Sequence, residues 1–324
     1  MVSLLVTVAV EPDAPRGEVQ ARTSFRNLEG APRLQRLCER FGIPPTWLLP
    51  YPVATRREGE WFAELWRSDR CEIGAHLLPW ITPPFEANED RLIARPPSAI
   101  PASAVDAKLR ALTEAIESAF GRRPEVHRAA GGGLNGAAVQ ALERLGYRVD
   151  SSVTPYVQAA PGEGPDWRDA PEAPYFPDRQ QPQLRGSSPV LEVPLTIGWD
   201  RELPGFVGRA MVKCDPRQRL ARVLGNPWLP VTHLRWLDPV RSDEAGLRAL
   251  AETAIERGLP CLTLNIPGPA LWPGESATCP DAACVDRVFD RLDAFLRFAI
   301  DELRCTPRTL TGFCGHYLGE TGCV

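Results

Sequence analysis

Residues 71–85 have the sequence Cys71-Glu-Ile-Gly-Ala-His76-Leu-Leu-Pro-Trp80-Ile-Thr-Pro-Pro-Phe85. The first six form a short run that predicts a buried strand ending at His76. Prolines follow almost at once and predict a rigid loop. A single histidine in such a run is often a hydrogen-bonded structural residue, so His76 becomes a functional candidate only if other parts of the chain point to the same place.

Similar short apolar runs recur along the chain and alternate with segments of helical periodicity. The strands predicted from these runs are 3–10, 45–49, 71–76, 125–129, 148–152, 190–195, 228–233, 259–266 and 309–313. The clearest helical spacing covers 104–120 and 283–303. Alternating strands and helices are typical of an α/β fold with a parallel sheet or barrel and helices outside it.

The domain organisation follows from length and composition. The chain has 324 residues, of which 44% are apolar and 24% charged, enough to build a sizeable core. Barrels of this size are routinely one domain, so we expect a single domain over 1–324. Proline and glycine dominate 154–188, which predicts a long irregular insertion of the kind that often forms a lid or binding loop.

Charge and cysteine content limit the partners and the location. The net charge of -4 provides no basic footprint for nucleic acid or an anionic membrane, so a small polar ligand is favoured. No run approaches the roughly 18 consecutive apolar residues of a membrane helix. The nine cysteines are an odd number and are scattered, which predicts reduced thiols and a cytoplasmic location.

Several motifs occur in an order that points to one family. They are Val6-Thr-Val-Ala9-Val-Glu11, the segment 71–85, Arg128-Ala-Ala-Gly131-Gly-Gly133, Gly164-Pro-Asp-Trp167, Leu191-Glu-Val-Pro-Leu195 and Ala270-Leu-Trp-Pro-Gly274. Together they resemble the polysaccharide deacetylase superfamily, the NodB-homology carbohydrate esterases. This resemblance implies a deformed (β/α) barrel whose cleft lies at the carboxyl ends of the strands.

Three positions depart from the pattern of the family. The resemblance implies a general base, a second metal-binding histidine and a late general acid, where this chain has Ala9, Leu78 and Pro267. None of these side chains transfers a proton or binds a metal ion. We therefore expect no metal, no cofactor and no metal-dependent deacetylase activity, although the ancestry is that of a hydrolase of C–N (amide) bonds.

The remaining polar residues of the motifs define the candidate site. Glu11 lies two residues beyond Ala9, so on an extended strand both side chains point to the same side. The catalytic candidates are Glu11, His76 and Arg128. The substrate-binding candidates are Trp80, Asp166 and Trp167. For the tryptophans the alternative is ordinary packing, and for Arg128 it is support of a buried loop carbonyl.

Two functional classes stay open at this point. In the first, Glu11 and His76 perform acid/base chemistry without metal on a polar amide, amino sugar or similar small metabolite. In the second, the protein is a pseudoenzyme that binds a ligand or supports a catalytic partner. A weaker hypothesis is a new zinc site made of Cys279, Cys284, Cys314 and His316, which would lack a second closely spaced ligand pair.

Overall fold

A computed structural model describes residues 1–13, 23–85, 95–159, 164–201 and 233–320. Its strands are β1 (Ser3–Ala9), β2 (Thr46–Leu49), β3 (Glu72–Leu77), β4 (Val126–Ala129), β5 (Val149–Asp150), β6 (Leu191–Glu192), β7 (Ile197–Trp199), β8 (Leu234–Trp236), β9 (Cys261–Pro267) and β10 (Thr306–Arg308). The helices are α1 (Ala31–Arg40), α2 (Tyr51–Ala54), α3 (Gly59–Arg67), α4 (Ala102–Phe120), α5 (Gly136–Leu145), α6 (Glu244–Glu256), α7 (Ala282–Arg297) and α8 (Leu310–Glu320).

The main sheet has eight parallel strands, ordered β10-β1-β2-β3-β4-β5-β6, with β9 on the other edge of β1. All seven residues of β1 are in register with β9, from Ser3 beside Cys261 to Ala9 beside Pro267. The strands therefore end at a common edge, and they curl into a half-barrel with helices outside. The expected α/β fold, a deformed barrel, is confirmed.

Irregular segments bridge the opening between β6 and β9. The N–H of Leu195 donates to the carbonyl of Val153, and the N–H of Thr196 donates to Thr263. On the same strand, the N–H of Asn265 donates to the carbonyl of Leu237. The antiparallel pair β7–β8 therefore leads the chain back to the main sheet beside the carboxyl end of β9.

The two faces of the sheet carry separate cores, because successive strand residues point to opposite sides. On β1, Leu4, Val6 and Val8 belong to the larger core shared with the outer helices. Leu5 instead belongs to a smaller core on the inner face. The other members of the inner core are Leu48, Val126, Val149, Leu191, Val193, Cys261, Leu310, Phe313 and Cys314.

Helix α8 fills the inner face of the sheet, where local sequence predicted a strand over 309–313. That prediction is wrong, because a buried carboxylate on β3 organises a helix start instead. Glu72 accepts hydrogen bonds from the N–H groups of Leu310 at 2.9 Å and Thr311 at 3.2 Å, and from the hydroxyl of Thr311. Glu72 also accepts from the hydroxyl of Thr46 at 2.7 Å. Burial raises the pKa of Glu72, and these donors oppose that rise.

Other sequence predictions agree with the structure more closely. The helix expected over 104–120 is α4, and the helix expected over 283–303 is α7 followed by a π-helical turn, Phe298–Glu302. Of the strand expected over 228–233, residues 228–232 lie outside the described residues, and the observed strand is β8. In the described part of the chain, no helix is both long and apolar enough to cross a membrane.

The contact of Glu72 with α8 gives a testable prediction. We expect Glu72→Gln to lower the free energy of unfolding by about 1–3 kcal/mol, because the amide nitrogen cannot accept the buried donors that one carboxylate oxygen now accepts. Urea titration followed by circular dichroism measures this change.

Glu125→Gln is the matched control, because the Glu125 carboxylate is about half exposed and pairs with Arg148 across 3.3 Å. We expect this exposed substitution to change the free energy of unfolding by less than about 1 kcal/mol. Equal stability of the two variants would contradict the role assigned to Glu72.

Candidate active site

A cavity of about 350 Å³ opens at the carboxyl ends of the strands. It brings together four of the six candidates from the sequence: Glu11, His76, Arg128 and Trp167. Further residues of its lining include Ala9, Gly132, Ser152, Leu195, Trp236, Asp238, Arg241, Asn265 and Pro267. The parallel register explains this convergence, since His76 on β3 lies directly beside Arg128 on β4.

Glu11 and His76 form a hydrogen-bonding pair in this cavity. His76 is buried, and its Nδ1 lies 3.0 Å from the carbonyl oxygen of Arg128. Because a carbonyl only accepts, Nδ1 carries the hydrogen of that bond. Nε2 lies 3.4 Å from Oε1 of Glu11, whose side chain is 42% exposed. A hydrogen bond here needs one proton, either on Nε2 or on the carboxyl group, so the pair is arranged to share a proton.

The backbone that carries Glu11 is fixed from behind by Asn27, whose Nδ2 donates to the Glu11 carbonyl at 3.0 Å. Asp13 is buried and accepts hydrogen bonds from the N–H groups of Arg26 at 2.7 Å and Asn27 at 3.0 Å. These bonds fix the turn Arg26–Gly30 against the end of β1. Asp13 therefore supports the site without lining the cavity.

Arg128 is a buried cation on the cavity wall. Its Nε donates to the Ser151 carbonyl at 2.6 Å, Nη2 to the Ser151 hydroxyl at 2.9 Å, and Nη1 to Oδ1 of Asn265 at 2.9 Å. All three acceptors are neutral. Burial lowers the pKa of Arg128 to about 10, so it remains charged at neutral pH. Within the described residues, no carboxylate lies within 4 Å of the guanidinium.

Asn265 and Asp238 form a chain of hydrogen bonds behind Arg128. Nδ2 of Asn265 donates to Oδ2 of Asp238 at 3.1 Å, while the N–H groups of Val240 and Arg241 donate to Oδ1 at 2.8 and 3.2 Å. Asp238 is fully buried, and burial raises its pKa. Sequence reasoning missed both residues. The available signal was the single amide side chain in the otherwise apolar second half of β9.

Trp236 and Arg241 form another part of the wall and were also missed. The guanidinium carbon of Arg241 lies 4.1 Å from the centre of the Trp236 ring, a cation–π contact. The Arg241 side chain is 57% exposed, and its Nε lies 3.9 Å from Oδ2 of Asp238. No motif of the sequence pointed to 234–241, although Trp236, Asp238 and Arg241 of this segment line the cavity.

The tryptophan and aspartate candidates lie in different places. Trp167, from the proline-rich insertion, lines the cavity, and its Nε1 donates to the Gly132 carbonyl at 2.9 Å. Asp166 lies outside the lining and pairs with Arg168, whose Nε is 2.9 and 3.1 Å from its two oxygens. Trp80 packs against the larger core and is also outside the lining.

The residues that replace the expected metal and proton-transfer groups do not fit a metal ion. Ala9 and Pro267 sit side by side in the cavity wall, and Leu78 is fully buried in the larger core. Both ring nitrogens of His76 already contact other groups, which leaves the Glu11 carboxylate as the exposed metal ligand of the pair. Within the described ranges, no group of three or more His, Cys, Asp or Glu side chains is placed to hold a metal.

The cysteine candidates for a separate zinc site are divided between the two cores. Cys279 packs in the larger core, with its sulfur 3.2 Å from that of Cys284, whereas Cys314 packs in the inner core on α8. The described cysteines are free thiols. The structure therefore does not assemble these residues into one site.

His127 lies on the outer face of β4, behind the cavity. Its Nδ1 is 2.5 Å from Oδ1 of Asp150, and both side chains are buried. Burial opposes ionisation of Asp150, but the hydrogen bonds with His127, Glu192 and Ser152 together with the nearby imidazole outweigh burial and lower the pKa of Asp150. Burial and the neighbouring Asp150 raise the pKa of Glu192 well above its usual range. This cluster is a support for the β4–β5–β6 edge, outside the cavity lining.

Comparisons with solved structures identify proteins of the same fold. One is a protein of Mycobacterium smegmatis assigned to the polysaccharide deacetylases, at 16% identity and a TM-score of 0.54, covering 99% of this chain and 92% of its own. Another is assigned as a glycoside hydrolase or deacetylase of Parabacteroides distasonis, at 14% identity and a TM-score of 0.61, covering 98% of this chain and 71% of its own.

At these identities the likeness shows the fold alone, and it confirms the polysaccharide deacetylase type of barrel that the motifs implied. Comparisons of the sequence with protein-family models and with curated proteins give no match.

The residues of the cavity lead to a prediction about metal binding. A catalytic zinc site needs three protein ligands, and Glu11 and His76 provide at most two. We expect protein equilibrated with zinc and then desalted to retain clearly less than one zinc per chain by plasma mass spectrometry, and its melting temperature to stay unchanged on adding a chelator. One tightly held zinc per chain that is lost in His76→Ala, but kept in the surface variant His233→Ala, would contradict this expectation.

Proposed function

We propose that this chain is a metal-independent acid/base enzyme that acts on a polar amide, amino sugar or similar small metabolite. The observation that carries the proposal is the contact between Glu11 and His76 inside the cavity, where their 3.4 Å separation calls for one shared proton. A histidine whose other nitrogen is fixed by a carbonyl is oriented for proton transfer at a single atom.

The roles of the residues follow from their exposure. The Glu11 carboxylate is open to the cavity, so it accepts a proton from a water molecule as that water attacks the substrate carbonyl carbon. His76 holds the orientation of Glu11 through Nε2 and stabilises the proton on the pair. The same proton then passes to the nitrogen that leaves when the C–N bond breaks. No step passes through a metal ion, because the side chains present do not fit one.

Three further observations support the nature and location of the ligand. The cavity volume of about 350 Å³ suits a small metabolite. Likeness in fold to proteins assigned as polysaccharide deacetylases favours a sugar-like compound. The free thiols of the described cysteines are in keeping with a reducing, cytoplasmic environment.

A second candidate function is ligand binding without turnover, as in a pseudoenzyme. The observation in its favour is the apolar character of Ala9 and Pro267, which face the cavity where the resemblance implied a base and an acid. A binding protein keeps Arg128 and Trp167 for affinity and uses Glu11 and His76 only to position the ligand. The two functions differ in what substitution of Glu11 and His76 removes.

The catalytic proposal predicts the effect of two substitutions. A screen of amides and amino-sugar metabolites first identifies a compound that is turned over. Glu11→Gln and His76→Asn should then each lower kcat by about 100-fold or more, because a positioned acid or base contributes at least that much. Ligand affinity and melting temperature should change little by comparison.

His233→Asn serves as the control, because His233 also contacts a carboxylate, with Nδ1 3.3 Å from Asp200, but lies outside the cavity lining. It should keep full activity. If both cavity variants retain turnover, the proton-transfer pair is assigned wrongly. Loss of affinity without any detectable turnover in the parent protein would favour the pseudoenzyme.

A further inference from the structure

We infer that the cavity selects an anionic ligand, a small molecule that presents a carboxylate to Arg128 and Arg241. The inference deepens the proposed function, on which it rests for the location of the site, by naming the charge of the substrate. It assigns the two arginines to recognition, with the amide of the same molecule facing Glu11 and His76.

Arg128 has N–H bonds that its neighbours in the structure do not use. A guanidinium has five N–H bonds, and three are donated to Ser151 and Asn265, which leaves two, one on each Nη atom. Both N–H bonds lie in the plane of the guanidinium fork, whose donors bind the oxygens of a carboxylate. Arg128 is 95% buried and lines the cavity, so these two donors are available to a ligand and little exposed to bulk water.

Among the described residues, no carboxylate is paired with Arg128 as a counter-ion. Three carboxyl groups act on its charge from more than 4 Å away: Asp150, Glu192 and Glu11. Asp150 is bonded to His127, and burial beside Asp150 favours the neutral form of Glu192. Glu11 contacts His76. A buried cation is stable when an anion pairs with it, and a bound carboxylate would complete this pairing.

Arg241 is a second arginine on the cavity wall. The guanidinium carbon of Arg241 lies over the Trp236 ring, 4.1 Å from its centre, and this contact limits the rotamer freedom that the long side chain loses on binding. Its contact with Asp238 at 3.9 Å is too long for a good hydrogen bond, so its donors stay available to a ligand. Asn265 and Asp238 join the two arginines into one wall, because Asn265 bonds both Arg128 and Asp238.

The position of Glu11 sets the orientation of such a ligand. A carboxylate is repelled by the Glu11 carboxylate and attracted by the arginine wall, so the anionic end lies at the arginines. The neutral amide end is then left for Glu11 and His76. A cavity of about 350 Å³ restricts this arrangement to a small molecule with both groups close together.

Titration calorimetry with two matched compounds tests the inference. N-acetylglycine carries an amide and a carboxylate, and N-acetylglycinamide has the same skeleton without the charge. We expect the parent protein to bind N-acetylglycine at least about tenfold more tightly, the effect of one charge-assisted hydrogen bond. Arg241→Gln should remove most of this preference, and Arg128→Lys should reduce it because the fork is lost while the charge is kept.

Arg122→Gln is the matched control, because Arg122 also lies over a tryptophan, 5.0 Å from the ring centre of Trp66, but outside the cavity. This variant should keep the full preference for the carboxylate. If Arg128→Lys does not fold, the more exposed Arg241 variant decides the question alone. Equal affinity for the two compounds, a preference that survives Arg241→Gln, or no binding of N-acetylglycine at any concentration reached would each overturn the inference.

The Glu11→Gln variant separates this inference from the proposed function. It should bind N-acetylglycine as well as the parent protein or more tightly, because a repelling charge is removed, while any turnover is lost. Selective binding without turnover in the parent protein would support the anion site and contradict the enzyme. Turnover of neutral amides with equal affinity for both probes would support the enzyme and contradict the anion site.

Discussion

The positions of the cavity residues at the strand ends depend on the parallel register of β1 with its neighbours. β1 pairs with β9 along its whole length and with β2 over its second half, so these strands end together. The segments that follow these strand ends then bring residues that are far apart in sequence to one edge of the sheet. A shift by one residue would turn each inward side chain to the outer face, because strand side chains alternate. The outer face is filled by the larger apolar core, which fixes the register.

Within this frame, Arg128 joins the two halves of the chain. Its guanidinium bonds Ser151 beyond β5 and Asn265 on β9, and Asn265 in turn bonds Asp238 beyond β8. The backbone carbonyl of the same arginine orients His76. Arg128 therefore fixes the part of the cavity wall formed with Asn265 and also the tautomer of His76. Loss of a charged group that serves several neutral acceptors leaves all of them buried without a donor, which is costly.

The sequence contained enough information for the barrel and for Glu11, His76, Arg128 and Trp167, because each belongs to a local motif, at the end of a strand for the first three and in the proline-rich insertion for Trp167. It did not reveal Asp238, Arg241 or Asn265. Their environment is created by partners elsewhere in the chain, and none of them belongs to one of the motifs. The strand prediction for 309–313 was wrong for a similar reason. The pattern is typical of a strand, but the segment begins a helix because Glu72, 238 positions before Leu310, accepts its first N–H groups.

That long-range contact also orders events during synthesis of the chain. Strands β1 to β6 are complete once residue 192 has been made, yet their inner apolar face is covered by Leu310, Phe313 and Cys314 of α8. While the ribosome adds the intervening residues, Leu5, Leu48 and Val126 have no partner from that helix. A nascent chain in this state exposes apolar surface and is prone to aggregate or to bind chaperones. The half-barrel therefore matures only after translation has passed α8.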